Sequence, residues 1–72
     1  MPKYPPLTPK QIEHVLKKLG YEYKRQRGDH RIWVKADQNT IPVPLYDEIS
    51  DWLLSAIIRQ SGVNKKKFYK LL

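Results

Sequence analysis

Apolar positions in the first third of the chain fall at helical spacing. Ile12, Val15, Leu16 and Leu19 form one stripe, with Glu13, His14, Lys17 and Lys18 off it. Thr8, Pro9 and Gln11 spell a helix start: a hydroxyl cap, proline at the first helical position and the capping-box partner. Gly20 suits the left-handed residue that closes such a helix. The pattern then shortens to alternation. Residues 21–27 mix polar and aromatic side chains as a half-exposed strand does. Gly28 and Asp29 are a turn pair of the kind that closes tight hairpins, and residues 30–35 make the returning strand. Parity groups Ile32 with Val34 and Ile41 with Val43 as the expected core face, leaving Trp33 on the other. Asp37, Gln38 and Asn39 signal the next turn, and residues 40–43 a third strand. Pro42 and Pro44 cannot donate to a ladder, so this strand belongs at an edge.

Helical spacing returns with a helix expected to begin within residues 47–50, where Asp47 and Glu48 suit the positive end of its dipole. Ile49, Trp52, Leu53, Ala56 and Ile57 form its stripe, and Leu54 and Ile58 widen it. A helix this apolar is deeply buried or partnered. Gly62 ends it near Ser61, and Asn64 caps a short last helix in residues 64–72 with Phe68, Leu71 and Leu72 on one side. Residues 1–7, with three of the six prolines, read as an extended lead-in. This order predicts one domain, residues 1–72, of α+β class. It is a two-layer sandwich: a three-stranded antiparallel sheet with two helices on one face, plus the short C-terminal helix.

Composition narrows the function. A chain of 72 residues buries only about 60% of its unfolded surface, so the core is thin. It has no cysteine, hence no disulfide and no thiolate nucleophile, and two histidines alone argue against a structural zinc site; no cofactor is expected. No apolar run approaches the roughly 20 residues that span a bilayer, and the start lacks a signal-peptide core, so a cytoplasmic protein is expected. The net charge is +7, from fourteen Lys and Arg against seven Asp and Glu. Three of the acids, Asp47, Glu48 and Asp51, sit together, while most cations precede residue 36 or fall in the last eight positions. Such a balance favours nucleic acid, an anionic surface or an acidic protein as partner.

The candidate chemistry lies at the hairpin. His30 follows the turn directly, with Lys24, Arg25, Arg27, Arg31 and Lys35 close in sequence. An imidazole can move a proton near neutral pH while cations hold a polyanion. Acid–base chemistry on a bound polyanion needs one group to take a proton, another to return one and cations for the charge that develops. His30 can serve as base or acid; Tyr23, Lys24 or the same histidine in its other ionisation state can supply the second transfer. Asp29 either holds the His30 ring or is simply the residue a turn favours. The arginines equally describe a solvated strand face, and Trp33 and the tyrosines either pack in the core or stack on bases. The lysines at 65–67 are a solubilising run or a phosphate contact.

In order along the chain stand Gly20-Tyr21, Gly28-Asp29-His30, Ile41-Pro42-Val43-Pro44 and Ile57-Ile58-Arg59-Gln60-Ser61-Gly62-Val63. Over roughly residues 9–63 this set resembles the HicA-type toxins, the mRNA interferases of HicA/HicB toxin–antitoxin pairs. The resemblance implies a fold like the double-stranded RNA-binding domain (dsRBD-like), an endoribonuclease acting on mRNA, and a HicB-like antitoxin as partner. His30 matches the family's catalytic histidine, and Lys24, Arg25, Arg27, Arg31 and Lys35 are then the expected RNA-binding residues. Asp29 stands where the family usually has Ser or Thr, and Arg31 where many members have a second histidine. A non-catalytic RNA-binding module on the same fold is the alternative. A domain whose basic face meets an acidic protein is a third.

Overall fold

In the computed structural model the chain runs α1 (Pro9–Lys18), β1 (Glu22–Arg27), β2 (His30–Lys35), β3 (Asn39–Pro44), α2 (Asp51–Ser61) and α3 (Lys65–Lys70). The structure describes residues 5–36, 39–46 and 49–72. Outside the described residues lie the first four positions of the lead-in, Asp37 and Gln38 of the expected turn, and Asp47 and Glu48 before α2.

Local chemistry sets the helix ends. The Gln11 amide donates to the Thr8 hydroxyl and the Thr8 amide to the Gln11 side chain, so two N-terminal donors of α1 are satisfied reciprocally. At the other end the Tyr21 amide reaches the Leu16 carbonyl and the Gly20 amide the Lys17 carbonyl, with Gly20 at φ 97°. That pair of bonds makes the reversal that delivers Tyr21 into the core, where the expected strand opens one residue later. Ser50 is the N-cap residue of α2, Gly62 closes it in the left-handed region, and the Asn64 side chain caps α3.

The sheet is antiparallel in the order β1-β2-β3. Arg27 pairs with His30 across the Gly28–Asp29 turn. Gly28 has φ 59° and Asp29 does not enter the positive region, the two-residue reversal whose twist matches the strands. Directly opposed residues share a face. Trp33 opposes Ile41 and Arg31 opposes Val43, whereas Ile32 opposes Pro42. The expected grouping of Ile32 and Val34 with Ile41 and Val43 is therefore wrong: Trp33, 6% exposed, takes the helix face with Ile41 and Val43. The reason is polar. The Trp33 indole N–H donates to Glu13 of α1 at 2.8 Å, a partner that makes burial of the ring affordable and that strand parity does not reveal.

Two further expectations change. Leu7 of the lead-in is 1% exposed, its carbonyl accepts from the Ile49 amide, and the Pro5 carbonyl accepts from the Tyr69 hydroxyl. Residues 5–7 are thus part of the packed domain, and Leu7 and Ile12 stand at the two positions of a hydrophobic staple. Trp52 is not in the α2 stripe but 75% exposed. The buried residues of α2 are Leu54, Ile57, Ile58 and Ser61, steps of three and four, and Trp52 lies two places before that series, on the opposite side.

Candidate nucleic-acid interface

β1 is exposed along all six residues, and its register slips between Tyr23 and Arg25. Lys24 is the extra residue of this bulge. Strict alternation would put Tyr23, Arg25 and Arg27 on one face. The bulge separates them: Tyr23 opposes Trp33 on the helix face, while Arg25 opposes Ile32 and Arg27 opposes His30 on the open face.

His30, Arg27, Ile32, Thr40 and Pro42 line a groove of about 500 Å³ on that open face. The His30 side chain is 40% exposed, and its Nδ1 lies 2.9 Å from the Asp29 carboxylate. Tyr46, half-exposed, meets the imidazole edge-on with ring centroids 6.5 Å apart. The Leu45 amide donates to the Asp29 carbonyl at 2.7 Å, which ties the turn to the segment carrying Tyr46. The result is an imidazole with one carboxylate beside its Nδ1 and, among the described residues, no hydrogen-bond partner for its Nε2. The floor is apolar, and Arg25 and Arg27 supply cations on the same face. Such a site suits a phosphate-like anion, with an imidazole placed to take a proton from a neighbouring hydroxyl or return one to a leaving oxygen.

The expected cationic set divides. Arg25 and Arg27 share the face of His30. Lys24 projects from the edge strand at the bulge and is exposed. Lys35 lies at the far end of β2, with its ammonium 5.6 Å from the centre of the Tyr21 ring. Arg31 is on the helix face: its Nε donates to Glu13, and its guanidinium stacks 4.4 Å above the Tyr23 ring. It therefore does not join the groove of His30. Sequence reading missed Tyr46 and Glu13. A tyrosine after a proline-rich strand and an acid next to an apolar helical stripe carry no local signal of either role. His14 is exposed and remote from the hairpin strands in sequence, as expected.

Among the described residues no helix is long and apolar enough to cross a membrane. The model of a family described as HicA toxin of bacterial toxin-antitoxin matches residues 9–63 of the 72-residue chain. The match takes in α1, the whole sheet and α2. No curated protein matches.

Proposed function

We propose, from the premise that this chain belongs to the HicA toxin family of bacterial toxin–antitoxin systems, that it exerts its toxicity by cleaving RNA. Membership makes the chain a toxin with an antitoxin partner. The finer reading is an mRNA-cleaving endoribonuclease held silent by a HicB-like antitoxin. The single observation that carries it is the groove joining His30 to Arg27, with Arg25 on the same face.

In this reading an RNA phosphodiester lies over Ile32 and Pro42 with its non-bridging oxygens toward Arg25 and Arg27. Nε2 of His30 takes the proton of the 2′-hydroxyl as the 2′-oxygen bonds to phosphorus. The arginines stabilise the charge that gathers on the phosphorane. The P–O5′ bond then breaks, the imidazolium returns its proton to the leaving 5′-oxygen, and a 2′,3′-cyclic phosphate and a 5′-hydroxyl result. Asp29 acts through the ring, fixing its orientation from the Nδ1 side. A positioned proton-transfer group of this kind contributes about 10²–10⁴-fold.

The test is incubation of RNA with the wild type and with His30→Ala, read on a gel. Cleavage by the wild type that falls at least a hundredfold in the variant, with RNA binding retained, is the expected result. Equal cleavage by both refutes the catalytic assignment. RNA bound but left intact by the wild type turns the reading to the non-catalytic binding module.

A further inference from the structure

A second concavity lies on the other face of the sheet. α1 ends at Lys18, just before the Gly20 reversal, and none of β1 is covered. Between the end of α1 and the β1–β2 ribbon this leaves a cleft of about 540 Å³, lined by Lys17, Tyr21, Glu22, Tyr23, Arg31 and Trp33 among others. Its volume falls within the range of small-molecule sites. Tyr23 is 43% exposed and stands edge-on to Trp33 at 5.9 Å, so part of its surface is open to a ligand. Arg31 is held at two points, by Glu13 at its Nε and by the Tyr23 ring beneath its guanidinium. No hydrogen bond among the described residues engages its terminal nitrogens. A guanidinium fixed this way loses little freedom on meeting an anion. Lys17 in the last turn of α1 adds a second cation.

We propose that this cleft is a second nucleotide-binding site, taking one nucleotide of single-stranded RNA with its base against Tyr23 and its phosphate at Lys17 and Arg31. Aromatic platforms beside cations are how sequence-tolerant single-strand binding works, because every base has a π-face. Glu22 is the one carboxylate in the lining named above. It disfavours a bare anion and can accept from the amino group of a base edge. β1 is an edge strand exposed on both faces, with Lys24 bulged between them. One RNA strand can therefore pass round this edge from the His30 groove to the cleft. The proposal takes only its ligand class from the ribonuclease reading.

The two tryptophans supply the experiment. Trp33 lines the cleft, whereas Trp52 is exposed on α2, so their indole N–H resonances are reporter and control. The protein is titrated separately with 5′-AMP, inorganic phosphate and a short polyglutamate peptide. The expected result is that AMP moves the Trp33 resonance and not that of Trp52, and that phosphate at equal concentration moves neither. Tyr23→Ala is expected to weaken AMP binding at least about fivefold while Tyr23→Phe holds it within about twofold. Lys17→Ala, an exposed change that leaves the core intact, weakens it as well. The idea is overturned if AMP at tens of millimolar leaves Trp33 unmoved, if both tyrosine variants bind alike, or if the peptide alone moves Trp33, which makes the occupant a protein. A mononucleotide has no internucleotide bond to cleave, so this outcome is independent of whether His30 cuts RNA.

Discussion

Replacing Glu13 with alanine isolates the contact that decides which face of β2 is buried. One carboxylate oxygen, Oε2, accepts from both Arg31 Nε and Trp33 Nε1, and the Glu13 side chain is only 14% exposed. After Glu13→Ala the two donors fare differently. Arg31, at 34% side-chain exposure, recovers water, so its ion pair contributes little, about 0–1 kcal/mol. The indole N–H of Trp33, in a residue 6% exposed, is left without an acceptor, a loss of about 1–3 kcal/mol. The sum, about 1–4 kcal/mol, is a large share of the roughly 4–11 kcal/mol that a chain of this length commands. Each kcal/mol lowers the melting temperature of so small a domain by about 4–8 °C. Urea unfolding followed by circular dichroism measures the loss directly, and an unchanged m-value keeps the comparison two-state. Glu13→Gln retains an acceptor oxygen for the indole and is expected to lose less than half as much. Combining Glu13→Ala with Trp33→Phe, which removes the donor, should recover a coupling of about 0.5–3 kcal/mol. A loss under about 0.5 kcal/mol for Glu13→Ala, the scatter of ordinary surface changes, would refute the view that this clasp sets the strand face.

The open-face assignment predicts that Arg27→Ala weakens RNA binding and lowers the salt slope of log K by about 0.7 for a single strand, measured by fluorescence anisotropy with His30→Ala protein. Leu7→Ala is expected to destabilise by about 2–5 kcal/mol, because the side chain is enclosed in the core; a loss near zero in urea would make residues 5–7 the loose lead-in that their prolines suggest. Trp52→Ser is expected to change stability by less than about 0.5 kcal/mol; a larger loss would return Trp52 to the core stripe.

The sequence by itself determined the order of elements, most of their ends and the turn. Thr8 with Gln11, Gly20, Gly62, Asn64 and Gly28 act through bonds and backbone dihedrals within a few residues, so each could be read in place. The ordered motifs of residues 9–63 also carried the family. Only the tertiary structure decided which side chains share a face. Ile32, Val34 and Trp33 are all apolar enough to enter a core. The choice fell to Trp33 because Glu13, twenty positions away along the chain, offers its indole an acceptor. The bulge at Lys24 likewise turns Arg25 and Arg27 toward His30, while Glu13 and Tyr23 hold Arg31 behind the sheet. Alternation along a strand fixes which residues go together. Which group turns inward depends on what the opposing helix presents, and that is settled only when the layers pack.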